Sequence, residues 1–247
     1  PELAATDETA QALRALYLGL ATEVDHHIGR VMQWLTDSGQ LDNTMVVITA
    51  DHGEMLGDHH VWGKMSVYDA AYRTPLIIRL PDGAAQADTQ VTAMTESVDI
   101  TPTILDWVGQ EVPAAMDGRS LMPLLQGDVP QDWRKFTFSE LDFANPLEDT
   151  TWQQMLGVHA SEANLAILRD DRFTLVQFAA DLPPILFDRE GAGEMRNVAA
   201  DASHAADLAR LTGQMLRHRM RNMDHTLSTV QITPEGARVG GRHRPRA

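Results

Sequence analysis

The run "TMVVITA" (Thr44–Ala50) constrains the fold more than any other part of the chain. It is an almost unbroken β-branched and apolar segment, the pattern of a strand covered on both faces. Before it, from about Asp7 to Thr36, apolar side chains recur at three- and four-residue steps: Leu13, Leu16, Tyr17, Leu20, Val24, Ile28, Val31, Met32 and Leu35. That spacing predicts a long amphipathic helix. Thr6 or Asp7 can cap its start, and Ser38-Gly39 suits its end because glycine tolerates a left-handed turn. Helix, short loop and buried strand in this order are an α/β signature.

The pattern continues with a second buried strand, "TPLIIRLP" (Thr74–Pro81). In "SVDITPTILDWVGQ", Thr101 is read as a cap and Pro102 as the first helical residue of a short helix to about Val108. "DGRSLMPLLQG" reads as a turn and a short helical segment, and Lys135–Leu141 as another strand. The texture changes after Asn145. "NLAILRD" and "RFTLVQFA", joined at Asp170-Asp171, read as an antiparallel hairpin, and "PPILFDREGAGE" as a further strand and Gly-rich turn. A final helix is expected over Ala202–Arg221. The expected division is therefore an α/β part over 1–145, a small α+β subdomain with a short antiparallel sheet over 146–222, and an extended or oligomerisation arm over 223–247. That arm carries Arg238, Arg242, Arg244 and Arg246.

Composition narrows the function classes. The 247 residues carry a formal net charge of -15, which argues against nucleic-acid binding because a phosphate backbone calls for a basic face. An anionic small substrate stays open, since a metal and a cation or two reverse the field locally. There is no cysteine, hence no disulfide, thiolate metal site or cysteine nucleophile in this sequence. No apolar run approaches ~18 residues, and "PELAATDETAQ" has neither the basic nor the apolar region of a signal peptide. No membrane association and a cytoplasmic location are the expectations.

Chemistry concentrates in "VVITADHGEMLGDHHVWGK" (Val46–Lys64). Asp51 and His52 stand at the carboxyl end of the first strand, where open α/β sheets bind ligands. A carboxylate and an imidazole suit Mn or Zn and, with further oxygens, Ca or Mg. Neighbouring residues of a strand point to opposite faces, so both reach one ion only if the backbone leaves the strand. Gly53 permits such a bend. Lys64 ends the loop as a compact cation able to hold an oxyanion beside a metal, which phosphoryl or sulfuryl transfer requires. Taken singly, each of these residues has an ordinary reading: Lys64 a surface lysine, His59-His60 loop packing. Their concentration in one loop favours the functional reading.

The same stretch resembles the second signature segment of the sulfatase branch of the alkaline phosphatase superfamily, in particular its phosphonate monoester hydrolases, which are also phosphodiesterases. The pattern D-H-G-x-x-x-G-x-H-x-x-x-x-K is met by Asp51, His52, Gly53, Gly57, His59 and Lys64. "YRTPLIIRLP", "SVDITPTILDWVGQEVPAAMDGRSLMPLLQG", "LPPILFDREGAGEMRNVA" and "RMRNMDHTLSTVQITPEG" are similar to later segments, with Gly191-Ala192 where the family has D-P. The resemblance implies an alkaline-phosphatase-like mixed sheet flanked by helices, followed by a small α+β subdomain. It implies that Asp51 and His52 ligate a divalent metal, Mn or Ca, and that Lys64 and His59 contact the anionic group of a small ester, with Lys64 catalytic. It also implies a homo-oligomer and a formylglycine nucleophile made from the Cys or Ser of C-x-P-x-R or S-x-P-x-R. This sequence contains neither segment. The chain thus resembles the C-terminal half of such an enzyme and is expected to be inactive by itself. The alternative is a non-catalytic family member acting as a binding or assembly module.

Other candidates have plainer readings. His27 is expected to pack at the edge of the apolar stripe and His26 to face solvent, and Glu23 and Asp25 read as a solvated face or a structural hydrogen bond. Ser66 and Ser97 lack a nucleophile-elbow context. Ser139-Glu140, at a strand end, has no assigned role.

Overall fold

The computed structural model describes residues 7–81, 88–145, 147–191, 193–222 and 230–239. Two compact units divide the chain: residues 1–90 with 125–127, and residues 91–124 with 128–247.

The first unit opens with α1 (Asp7–Asp37), a single helix over the span that the periodicity predicts. Its end is a glycine stop: Gly39 has φ 67°, and the Gln40 N–H donates to the Leu35 carbonyl at 2.9 Å. The expected cap at Thr6 lies outside the described residues. β1 (Val46–Thr49), the single turn α2 (Asp69–Tyr72) and β2 (Leu76–Arg79) follow, and β1 pairs β2 antiparallel from Val46↔Arg79 to Thr49↔Leu76. The sequence predicts β1 to be buried on both faces and β2 to be a second buried strand. Instead they are half-buried, with Thr49 and Ile77 exposed. The reason is the sheet itself: two strands cannot cover both of their own faces.

The second unit starts with α3 (Ile100–Trp107). Its cap differs from the sequence expectation. A 3-10 turn over Ser97–Asp99 precedes the helix, and Glu96 and Asp99 form a reciprocal capping box across it. Thr101 therefore sits inside the helix, and Pro102 still falls in the first turn, where its missing N–H costs nothing. Asp99 is the hub of this corner. It is fully buried and accepts from the backbone N–H of Glu96 and of Arg119, each at 2.8 Å, and from the two terminal guanidinium nitrogens of Arg134. Burial pushes the neighbouring Glu96 carboxyl up, although Arg134 opposes the shift.

The turn α4 (Met122–Leu125), β3 (Thr137–Asp142), α5 (Thr151–Leu156), β4 (Asn164–Arg169), β5 (Phe173–Phe178), β6 (Ile185–Asp188) and α6 (Ala205–Asn222) complete the larger part of this unit. β3-β4-β5-β6 form an antiparallel sheet in sequence order. β3 precedes residue 145 and yet pairs with β4 from Thr137↔Arg169 to Asp142↔Asn164, so the sheet draws on residues from both sides of that position. Leu168 faces Leu175, and Leu175 faces Leu186, in register across three strands. α6 lays Leu211 and Met215, one turn apart, into the same cluster. β4 also buries its alternate residues Leu165 and Ile167, so the sheet is covered on both faces. Asp188, at the end of β6, takes a bidentate pair from Arg172 at 2.9 and 2.7 Å, and His204 lies 3.4 Å away. That pairing holds the Asp188 carboxyl well below the usual carboxylate range.

A last hairpin, β7 (Val230–Thr233) and β8 (Gly236–Val239), falls within the expected arm. Arg242, Arg244 and Arg246 lie outside the described residues. No helix among the described residues is long and apolar enough to cross a membrane.

Candidate active site

β1 delivers its carboxyl end to Ala50, and the chain leaves extended structure at Asp51. The His52 ring is fixed by its Nδ1, 2.8 Å from the Gly53 carbonyl. A carbonyl only accepts, so Nδ1 carries a proton, and in the neutral ring Nε2 is then the atom that offers a lone pair. That Nε2 lies 3.4 Å from Asp51 Oδ2. Ligands at right angles on one ion stand about 3.0–3.4 Å apart when the bonds are about 2.1–2.4 Å. The pair therefore fits as two ligands of one divalent cation, with a backbone carbonyl as the partner that sets the histidine tautomer. It is only part of a coordination sphere: among the described residues no group of three or more His, Cys, Asp or Glu is placed to hold a metal.

Gly53 serves a different end from the bend expected of it. Its φ is not in the left-handed region; a Cβ there would meet the Ala70 carbonyl oxygen at 1.9 Å. Its N–H donates to the Ala71 carbonyl at 2.8 Å. Glycine is needed because the backbone that carries Asp51 and His52 runs directly against α2.

The loop from Glu54 to Lys64 is tied back on itself. Glu54 Oε1 accepts from the N–H of Leu56 at 3.1 Å and of Gly63 at 2.7 Å, while the Met55 N–H donates to the Gly63 carbonyl at 2.9 Å. Gly63 is thus bonded to residues two and three positions after His52, and exposed Lys64 follows it directly. His59 stacks flat on Tyr68, with centroids 3.8 Å apart and an interplanar angle of 5°. Arg14 of α1 donates to the Leu56 carbonyl at 2.8 Å and pairs with Asp58 at 3.5 Å.

Residues 2–110 match the family model described as Sulfatase, and residues 57–221 match that of the N-sulphoglucosamine sulphohydrolase C-terminal region. The chain belongs to the sulfatase family. It is 65% identical to the phosphonate monoester hydrolase SpPMH of Silicibacter pomeroyi, whose solved structure superposes with a TM-score of 0.90 over 99% of this chain and 48% of that one. It is 38% identical over 225 residues to the multifunctional alkaline phosphatase superfamily protein PehA of Trinickia caryophylli, covering 91% of this chain and 43% of the relative. It is 35% identical over 193 residues to an N-acetylglucosamine-6-O-sulfatase of Bacteroides thetaiotaomicron, covering 76% and 32%. The chain thus spans about half the length of the first two relatives, 48% and 43%, and about a third (32%) of the sulfatase. Proteins of this superfamily use a divalent metal, and the donor chemistry of Asp51 and His52 agrees with that.

Within this sulfatase-family chain the remaining candidates take structural places. His26 is exposed on α1 as expected; His27, expected to pack at the edge of the apolar stripe, is exposed too, because that stripe is itself uncovered, and it pairs with Glu23 at 3.8 Å and contacts Arg30 at 3.2 Å. Ser66 is buried, with its hydroxyl 3.1 Å from Met55 Sδ, and Glu140 pairs with Arg219 at 3.0 Å. Sequence reasoning passed over Glu54, although its place in the loop just after Asp51 and His52 was a usable signal. Arg14 carried none: an arginine on a helix reads as solvated surface.

Proposed function

We propose that this chain carries the C-terminal part of a metal-dependent hydrolase of phosphonate monoesters and phosphodiesters, with sulfate esters as the alternative substrate class. The observation that carries this reading is the Asp51–His52 pair, set at ligand spacing on a chain 65% identical to a phosphonate monoester hydrolase. That identity, against 35% to the sulfatase, favours phosphorus over sulfur.

In this reading Asp51 and His52 hold a divalent cation, Mn or Ca, which supplies Lewis acidity toward the ester oxygens. The Gly53 carbonyl keeps His52 in the tautomer that presents Nε2. Lys64 places an ammonium against the non-bridging oxygens, where negative charge accumulates during transfer. The nucleophile, a formylglycine hydrate in the reading the resemblance implies, comes from outside this sequence. A homo-oligomer belongs to the same proposal, and light scattering of the purified enzyme tests it.

The test is kinetic. The full-length enzyme is assayed with an aryl phosphonate monoester, an aryl phosphodiester and an aryl sulfate. The expected order of kcat/KM puts the two phosphorus esters above the sulfate. Lys64→Ala is expected to lower kcat/KM by about 10²-fold or more, the usual scale for losing one stabilising group at a transferring centre. Enzyme-like turnover by the 247-residue chain alone, unchanged by Lys64→Ala, would overturn the proposal.

A further inference from the structure

The loop between the ligand pair and Lys64 holds a conformation that its residues disfavour. Leu56, His59 and His60 have φ of 50°, 52° and 62°, in the left-handed region that side chains with a Cβ seldom occupy. Three such residues within five positions persist only where the surroundings fix them. The Glu54 carboxylate is the group that closes the loop. One oxygen, Oε1, takes the N–H of Leu56 near the start and of Gly63 at the end. The main-chain bond from Met55 to Gly63 lies beside it, and Arg14 holds the Leu56 carbonyl from α1.

We propose that Glu54 is a positioning residue: by binding the Leu56 and Gly63 amides it fixes where Lys64 stands relative to Asp51 and His52. The inference rests on the proposed anion-binding role of Lys64. What Glu54 contributes here is a hydrogen-bond acceptor rather than a charge. A glutamine amide oxygen accepts the same two N–H groups; an alanine leaves both without it and frees the strained loop to relax.

The experiment compares Glu54→Gln, Glu54→Ala, Lys64→Ala and the Glu54→Ala/Lys64→Ala double variant in the full-length enzyme. KM and kcat for an aryl phosphonate monoester and bound metal per chain are measured. Glu54→Ala is expected to raise KM about tenfold with metal content retained, and Glu54→Gln to stay within about threefold of the parent. The double variant is expected to be no worse than Lys64→Ala alone, because the two residues act as one unit. Additive losses would overturn the proposal. So would loss of metal together with failure of Glu54→Gln to rescue, which would make Glu54 a ligand. If Lys64→Ala changes nothing, the reading of the site itself fails; if only Lys64→Ala matters, the positioning role fails alone. Amide hydrogen exchange of the 247-residue chain gives a second readout. The Leu56 and Gly63 amides are expected to be protected in the parent and in Glu54→Gln and to exchange fast in Glu54→Ala; fast exchange in the parent contradicts the proposal.

Discussion

Leu168 and Leu20 are the same side chain in opposite situations. Leu168, in the second unit, is fully buried between Leu175 and the residues of α6, whereas Leu20, on α1 of the first unit, is 61% exposed. The contrast extends to their neighbours. Leu175, Leu186 and Leu211 surround the first, while Leu16, Val24, Val31 and Trp34 continue an exposed stripe along α1. In the second unit a four-stranded sheet and a helix cover one another. In the first, a long helix and a two-stranded sheet present apolar faces that nothing among that unit's described residues covers. Periodicity in a sequence thus reports that a face must be covered; it does not say by what.

The sharpest way to break the contrast is a charge in the second unit. Asp99→Ala removes the acceptor of four hydrogen bonds and leaves the Arg134 guanidinium half-partnered in a buried corner. Breaking such a pair costs about 3–5 kcal/mol, which urea unfolding of the second unit would register. A matched pair tests the contrast directly. Leu168→Ala is expected to lose about 2–5 kcal/mol, and Leu20→Ala, in this chain alone, to stay within about 0.5 kcal/mol. Equal losses would mean that α1 is covered in solution.

Gly53→Ala probes the first unit where it is tight rather than open. The new Cβ would meet the Ala70 carbonyl oxygen, so the strand end must move away from α2. Overpacking of this kind costs about 1–3 kcal/mol, and it should also lower metal affinity while leaving the second unit's unfolding unchanged.

A smaller, pH-dependent effect belongs to the second unit again. The folded Asp188 carboxyl titrates below its ordinary range because Arg172 and His204 bind its ionised form. A depressed carboxylate adds stability that is complete above the unfolded value near pH 4 and fades as pH falls toward the folded one. Glu96, pushed up by burial, acts in the opposite sense. The discriminating quantity is therefore the difference between parent and Asp188→Asn. Melting temperatures taken from pH 5 downward should converge as the parent loses this contribution.

Much of this was legible in the sequence, for reasons that particular residues make clear. The extent of α1 followed from apolar spacing and from Gly39, and the sheet strands from their apolar runs. The Asp51–His52 pair could be found because a strand end, two metal-type donors and a glycine are adjacent in the chain. The burial of β1 and β2 was misread because an apolar run states a preference that only neighbouring elements can satisfy. The cap of α3 was misplaced because Thr101-Pro102 resembles a start, while the working cap pairs Glu96 with Asp99 one turn earlier. Glu54 had a usable signal in its place beside Asp51 and His52, although its closure onto Gly63 did not; the Asp99–Arg134 hub had none, since folding joins residues 35 positions apart.

The central claim is that Asp51 and His52 are ligands of one divalent cation. Metal content of the purified full-length enzyme, parent against His52→Ala, tests it most directly. The account predicts that the variant loses most of its bound metal and its hydrolysis together while its fold is retained. A His52→Ala enzyme that keeps the parent's metal content would contradict it.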